Sequence, residues 1–462
     1  MNRTATVTLE EIAGRLERLP MTPYLWALVL IAGGAWFVES LSIGATGVVL
    51  PVLTKLWHLS PGATGFLAVS STIGVVVGRI PAGRLADRYG RVRLLTWGIV
   101  GYGGLTMLSA LAPNYGILVA LRFLAGLFMG GVFPLPYSII GELVRKDRRT
   151  WLSGILDACL SVGYFVAPLL GLLILPTVAP ALAWRVFMAA AGLPVLYAVL
   201  VRNVLPESPR WLFKEGRVNE AASVVARLEE RSRRHVGELP PPVAVPVVEE
   251  ADVAQNPVLW REMLGRTVIS AVAATGTFFM FYVVMTYTPT IFTDLHVALT
   301  TALGFAAIVT AAAIPGKMLN GWLSERWGRK PLFAIFMTLA AVTALLFTTT
   351  HQPDMMLIAA MGMSFFGTGA FPGLKMFYAE QYPTRYRVTG AATVEAVART
   401  LGGIVGAALI PLAWHAYGLG TAFLIIAAVA IISSVVMLIW ARETRGLTLE
   451  AIEASYRPAR PA

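Results

Sequence analysis

Gly83-Arg-Leu-Ala-Asp87-Arg88-Tyr-Gly90-Arg91 returns later in the chain as Gly321-Trp-Leu-Ser-Glu325-Arg326-Trp-Gly328-Arg329, a displacement of 238 residues from position 83 to position 321. The same displacement carries Phe133-Pro134 onto Phe371-Pro372, Glu142 onto Glu380 and Arg149 onto Arg387. One register shared by glycines, prolines and charges of different chemistry is the mark of a duplicated unit.

The sequence around these segments is apolar. Of 462 residues 56% are hydrophobic and 14% charged, and the mean hydropathy is +0.69, a composition suited to a bilayer rather than to water. Runs such as Ala27–Leu53, Leu94–Ala112 and Thr421–Trp440 meet the roughly 20 residues needed to cross about 30 Å of hydrocarbon. Reading each run as one helix gives spans near 27–53, 62–86, 94–112, 116–140, 152–175 and 183–205, then 266–292, 299–323, 331–349, 354–379, 389–413 and 420–441. The expected fold is an all-α membrane protein of twelve transmembrane helices in two pseudo-symmetric six-helix bundles, related by an axis along the membrane normal. The expected domains are an N-terminal bundle with a short tail (1–205), a linker (206–265) and a C-terminal bundle with its tail (266–462). Within the linker, Val218, Ala221, Ala222, Val225 and Leu228 recur at helical spacing and predict a surface helix. Pro240–Pro242, Pro246, Glu249, Glu250 and Asp252 read as a connector.

The formal charge of +11 comes in short clusters and forms no single basic face for nucleic acid. Clusters lie at Arg88/Arg91/Arg93, Arg145/Lys146/Arg148/Arg149, Arg326/Arg329/Lys330, Arg385/Arg387 and Arg442/Arg445, in alternate connections, while the turns between them hold no Lys or Arg. By the positive-inside rule those loops and both termini are cytoplasmic, in the cell inner membrane. Residues 1–24 lack the layout of a cleavable signal peptide. A single cysteine, Cys159, excludes an internal disulfide and a cysteine-rich metal site.

With Gly83, Asp87, Arg88, Gly90, Arg91 and Arg93 between the second and third spans, and their second copy, the chain resembles the major facilitator superfamily over its whole length apart from the termini and linker. Arg122 with Gly126 and Gly130 is similar to that family's fourth-helix motif. Pro206-Glu207-Ser208-Pro209-Arg210-Trp211-Leu212 and Glu443-Thr444-Arg445-Gly446 resemble the sugar-porter and metabolite:proton-symporter branch, which includes transporters of nicotinate and aromatic acids and the synaptic vesicle glycoproteins. The resemblance implies alternating access of the two halves. Asp87, Arg88 and Arg91, with Glu325, Arg326 and Arg329, would then be gating residues; Glu142 and Glu380 would pair with arginines such as Arg149 and Arg387; Glu207 and Arg210 would join the same salt-bridge networks. Orientation and turn formation alone also explain the loop motifs.

An ionisable group in hydrocarbon costs at least about 2.5–3.5 kcal/mol and asks for a partner or a water-filled cavity. Glu39 lies near the middle of the first span and is the candidate coupling acid, with Arg122 and Asp157 as further proton-coupling or gating candidates. A structural pair with a buried cation is the alternative for Glu39. Nicotinate-type relatives resemble this stretch with two carboxylates; Glu39 matches the first and Ser42 stands at the second. On the eleventh span Glu395 and Arg399 are four apart and share a face. They either neutralise each other or offer Arg399 to a substrate carboxylate. Lys375 is a second cation, with snorkelling towards the membrane edge as its alternative. Phe278, Tyr282 and Met285, followed by Tyr287, form an aromatic stripe that lines a cavity or packs, and Trp36 and Tyr164 are candidates of the same kind.

No Gly-x4-Gly-Lys-Ser/Thr loop and no His-Glu-x2-His pair occurs, so transport is expected to draw on a proton gradient without cofactor or metal, and no enzymatic site is visible. The only glutamines, Gln255, Gln352 and Gln381, lie outside helix middles, which disfavours sugar hydroxyls. Embedded Arg and Lys with aromatics favour a small aromatic carboxylate such as nicotinate or a benzoate, moved by proton symport, with the protein working as a monomer. Gly163-Tyr-Phe-Val-Ala167-Pro168-Leu-Leu-Gly171 resembles the fifth-helix motif of drug/proton antiporters and keeps that reading open. A sugar or polyol symporter and a non-transporting membrane ligand-binding protein are the remaining alternatives.

Overall fold

The computed structural model describes residues 8–145, 149–242, 258–350, 352–382 and 387–443, and among them it is helical with no strand. The twelve spans are present. The first six are α2 (Pro23–Leu56), α3 (Pro61–Tyr89), α4 (Arg91–Ser109), the pair α5 (Tyr115–Val132) and α6 (Leu135–Leu143), α7 (Arg149–Ile174), and the pair α8 (Pro180–Gly192) and α9 (Tyr197–Val204). The last six are α12 (Val258–Asp294), α13 (Leu299–Trp327), α14 (Arg329–Thr349), the pair α15 (Pro353–Gly362) and α16 (Phe371–Glu380), the pair α17 (Arg387–Ala398) and α18 (Ala407–Tyr417), and α19 (Leu419–Trp440). Two of the broken spans coincide with proline: α5 gives way to α6 at Phe133-Pro134, and α8 to α9 through a 3₁₀ turn at Leu193–Leu196. The amide a proline lacks leaves a carbonyl free, and in a membrane that carbonyl needs another donor. Beside the break, Trp36 donates from Nε1 to the Phe133 carbonyl at 3.1 Å.

Side chains that would be a liability in water mark the lipid-facing surface, among them Ile80, Leu111, Leu173, Leu196, Met318 and Ile439. Between helices, small residues permit close approach. A Cβ on Gly163 of α7 would lie 3.0 Å from the Leu41 amide nitrogen of α2. The Gly163–Gly171 segment that resembles an antiporter motif therefore has a packing role in this chain.

The duplication extends to backbone conformation. Gly90 and Gly328 both hold φ near +92° to +100° with ψ 154°, and His58 and His296, again 238 apart, are the two non-glycine residues with positive φ among the described residues. Only glycine adopts the Gly90 and Gly328 conformation without strain. A Cβ there would also stand 2.6 Å from Glu207 Oε2 or 2.7 Å from Glu443 Oε2.

The chain divides into two compact units. Unit 1 comprises Met1–Ser42, Gly74–Gly163 and Met188–Glu249; unit 2 comprises Ile43–Ile73, Tyr164–Phe187 and Glu250–Ala462. Within unit 2 the C-terminal part of α2 meets α12, where a Cβ on Gly47 would lie 2.8 Å from the Thr286 carbonyl, and the start of α3 meets α18 at Gly65 and Ala408. Those stretches are at the ends of the spans remote from the arginine-rich loops.

In unit 1 the linker forms α10 (Pro209–Lys214) and the expected surface helix, α11 (Val218–Val236). The connector beyond residue 242 lies outside the described residues. An additional helix, α1 (Leu9–Glu17), is capped by Thr8, whose hydroxyl accepts from the Glu11 amide, and packs on α10 and α11 through Ile12, Ala13 and Leu16. Arg15 reaches Glu229 at 2.7 Å and Arg18 reaches it at 2.5 Å, while Arg18 also donates to the Pro240 carbonyl. Burial pushes the Glu229 carboxyl up, but the hydrogen bonds from Arg15 and Arg18 outweigh it and hold the group below the usual carboxylate range.

Candidate functional site

Charged groups gather at three places, two inside the spans and one at their ends. The first is in unit 1, between α2, α4 and α5. Glu39 is 0% exposed. Helix α2 is met one turn before it by Tyr102, whose hydroxyl donates to the Ala35 carbonyl at 3.4 Å, and one turn after it by Arg122, whose Nη2 donates to the Ser42 carbonyl at 2.8 Å. Arg122, 1% exposed, also donates to Thr106 Oγ1 at 3.1 Å, and Thr106 and Ser42 share a 2.7 Å hydroxyl contact. Ser42, at the place of a second carboxylate in the resemblance, thus belongs to the hydrogen-bond set of Arg122. A buried carboxyl on the same stretch as a buried guanidinium is chemically able to hold or release one proton. Asp157, buried on α7, is the third expected member, and Ser161 donates to its carbonyl at 3.5 Å. Trp36 is wholly buried, stacked 5.1 Å from Phe133 and edge-on to Tyr137 at 4.4 Å. Arg79 stands over Phe133 at 5.3 Å.

The second place is in unit 2, where α12 and α17 meet. Arg399 begins a π-helical segment, Arg399–Gly406, a distortion often found at functional sites. Gly402 and Gly403 of that segment press on α12 and bring Tyr282 close. Arg399 donates to Tyr282 Oη at 3.1 Å and to Glu395 Oε1 at 3.0 Å, and its guanidinium lies over Phe278 at 5.3 Å. Both ionic partners are nearly dry, Glu395 at 7% and Arg399 at 6% exposed. The rings continue: Phe278 to Phe371 at 5.0 Å, Phe281 to Phe371 at 5.5 Å, Tyr282 to Phe281 at 5.1 Å and Tyr164 to Phe281 at 5.2 Å. Two ammonium groups approach Phe371, Lys375 at 5.6 Å and Lys317 at 5.7 Å.

Four of the expected aromatic and cationic residues, Phe278, Tyr282, Tyr164 and Lys375, thus join Arg399 and Glu395 in one cluster. Tyr287 is placed apart, with its hydroxyl on the Ala407 carbonyl at 2.9 Å. Sequence reasoning missed the rings of Phe281 and Phe371 and one cation, Lys317, 6% exposed on α13. The repeat points to it, since Lys317 and Phe371 occupy the register positions of Arg79 and Phe133. Within 267–293, 299–324, 355–379 and 388–414, the middles of α12, α13, α15–α16 and α17–α18, there are three cations, Lys317, Lys375 and Arg399, and one carboxylate, Glu395. A concentration of buried positive charge among ring faces is suited to a flat anion, which would take charge-assisted hydrogen bonds on its carboxylate and ring contacts on its body.

The third place is doubled, at the two loop motifs. Glu207 accepts from the amides of Arg91 at 2.9 Å and Val92 at 3.1 Å at the start of α4. Glu443 accepts from those of Arg329 at 3.1 Å and Lys330 at 2.9 Å at the start of α14. Each carboxylate neutralises the positive end of a helix. Arg91 pairs with Glu142, which Ser208 also contacts, and Arg329 pairs with Glu380 at 2.7 Å. The packing of α4 on α6 and of α14 on α16 supplies these partners; the side chains of Arg149 and Arg387 lie outside the described residues. Asp87 is exposed, with its carbonyl taking the Trp211 indole at 2.6 Å. Arg88 lies over Tyr89 at 5.3 Å and Arg326 over Trp322 at 3.9 Å. Glu325 is exposed, and Arg210 is half-buried beside the α10 cap.

Residues 29–456 match the family described as "Sugar (and other) transporter". The niacin transporter of Acinetobacter baylyi is 28% identical over 96% of this chain and 99% of its own length. The 4-hydroxybenzoate transporter of Pseudomonas putida is 27% identical over 92% of this chain and 95% of its own. Among solved structures, the inward-open xylose transporter of Escherichia coli superposes with a TM-score of 0.76 at 20% identity, covering 94% of this chain and all of that one. At that identity the likeness concerns the fold.

Proposed function

We propose, from the premise that this chain belongs to the sugar (and other) transporter family of the major facilitator superfamily, that it carries a small aromatic carboxylate across the cell inner membrane together with protons. Membership makes it a multi-pass membrane transporter and not an enzyme. The observation that carries the finer reading is the unit 2 cluster, in which Arg399, Lys317 and Lys375 surround the rings of Phe278 and Phe371. The substrate carboxylate pairs with Arg399 and its ring packs among Phe278, Phe281 and Tyr282. Glu39 takes up and releases the coupled proton, with Arg122 fixing α2 beside it. Loading of both sites lets the two halves alternate access, and the networks around Glu207 and Glu443 yield as the charged ends part. Both termini face the cytoplasm. The names of the relatives that carry niacin and 4-hydroxybenzoate support the substrate class, as does the placing of Gln381 at the Arg442 carbonyl, away from the cluster and so from sugar hydroxyls.

The test is uptake into proteoliposomes under an imposed inward proton gradient, with labelled nicotinate, 4-hydroxybenzoate and xylose. Concentrative uptake of an aromatic acid, abolished by a protonophore, is expected. Glu39→Gln should lose accumulation but keep exchange. Accumulation of xylose alone, efflux against the same gradient, or unchanged accumulation in Glu39→Gln would each sink the corresponding part of the reading.

A further inference from the structure

At the loop-side foot of unit 1, remote from the embedded charges, a pocket is lined by Arg93, Arg202, Arg217, Tyr89, Trp211 and Glu207. Three guanidinium groups meet there, and two of them are uncommitted. Arg217 is held by Glu220 at 2.6 Å and lies over the Trp211 ring at 5.7 Å. Glu207 is turned onto the amides of α4, so its charge is spent on the helix end. The guanidinium groups of Arg93, in the first turn of α4, and Arg202, in the last turn of α9, engage no carboxylate among the described residues; only the Arg93 amide reaches Glu207.

The helices that carry these arginines also carry exposed apolar residues. Above Arg202 the exposed residues are Leu200, Val199 and Leu196; above Arg93 the exposed Trp97 packs its ring 5.5 Å from Tyr89. Aromatic rings at this level and arginines below an apolar flank are the pattern of a headgroup boundary. Val92 and Leu205 complete the lining on the apolar side. Two guanidinium forks with an apolar wall above them match a phosphate that carries hydrocarbon.

We propose that this pocket binds a phosphate group, supplied by an anionic phospholipid of the leaflet beside the arginine-rich loops, and that the bound lipid ties the start of α4 to the end of α9 at the corner that Glu207 caps. Inorganic phosphate is the other source of the same chemistry. Full-length protein in detergent, titrated with phosphatidylglycerol or phosphatidylcholine and followed by native mass spectrometry, tests the site. One phosphatidylglycerol per chain should be retained in preference to phosphatidylcholine, and Arg93→Gln/Arg202→Gln should weaken it about tenfold or more. Failure of millimolar inorganic phosphate to displace the lipid assigns the lipid source; displacement assigns the soluble one. Should the glutamine pair fold poorly, Arg93→Lys/Arg202→Lys keeps the charge but loses the forks, and binding several-fold weaker than wild type is expected. Equal retention of phosphatidylglycerol by wild type and either folded variant overturns the proposal.

Discussion

Set against each other in the common register, the two halves keep the span ends beside their arginine-rich loops and diverge in the middle of their spans. Arg91 with Glu142 matches Arg329 with Glu380, and Arg79 over Phe133 matches Lys317 over Phe371. Deeper in, the first half has Glu39 and Arg122 where the second has Thr277 and Ala360, and the second half has Arg399 and Lys375 where the first has Ser161 and Tyr137. Asp157 and Glu395 correspond, yet only Glu395 has an arginine one turn on. An ancestral duplication tolerates change where helix middles face solvent-filled or ligand-filled space, and resists it where a helix end must be capped. Under the proposed function, this divergence assigns two tasks, proton handling to the first half and anion handling to the second.

The sharpest way to break this comparison is to remove the guanidinium at the second-half position. Arg399→Gln deletes one member of a buried, hydrogen-bonded charge pair and leaves Glu395 dry, at a cost of about 3–5 kcal/mol to the site. Substrate affinity, measured by scintillation proximity or calorimetry, should fall about a hundredfold or more. Adding Glu395→Gln removes the stranded charge, so the double variant should fold more stably than Arg399→Gln alone while still failing to bind. Recovery of binding in the double variant would mean that Arg399 serves only to neutralise its neighbour.

Next in size are the helix ends. Glu207 meets the amides of Arg91, Val92 and Arg93, Glu443 those of Arg329 and Lys330. Charge-assisted hydrogen bonds at a helix N-terminus contribute about 1.5–3 kcal/mol. Glu207→Ala and Glu443→Ala should each lower thermal stability by about 2 kcal/mol. A loss at only one of the two would show that the ends have diverged as the middles have.

How much of this was legible depends on the kind of signal. Spans were readable to within a few residues because hydrocarbon thickness dictates the length of an apolar run, and helix α11 because its apolar positions repeat every turn. Glu39, Glu395 and Arg399 stood out because charge in an apolar run is costly. Lys317 did not, since it lies near the end of its span, where a lysine reads as one that reaches for the surface. Only the register that joins it to Arg79 marks it. The pairing of Glu142 with Arg91 and of Glu380 with Arg329 escaped because chain proximity pointed to Arg149 and Arg387, whose side chains lie outside the described residues, and only helix packing reveals it. Helix α1 was missed although Ile12, Leu16 and Leu19 recur at one face; its stabilisation comes from Glu229, more than two hundred residues away.

That latch has no counterpart in the comparison of halves, and its pH dependence distinguishes it. Glu229 is held below its usual range, so its contribution is present above the unfolded carboxyl value and is lost as pH falls through the folded one. Between pH 7 and about pH 4, wild type should lose up to about 0.6 kcal/mol more stability than Glu229→Gln does, with the remainder lost below that range. A stability profile in which the two fall in parallel would remove the latch from the acid response.

The smallest effect sharpens the first comparison. Ser161 holds the register position of Arg399, and its hydroxyl bonds back to the carbonyl of Asp157 on its own helix. Such a bond contributes about 0.5–1 kcal/mol, so Ser161→Ala should leave substrate affinity within about twofold. If the halves shared the task of holding the anion, the same substitution would cost an order of magnitude. Measured beside Arg399→Gln, the pair of variants sets the asymmetry on one scale, because both change the same position of the duplicated unit and only one of them removes a charge.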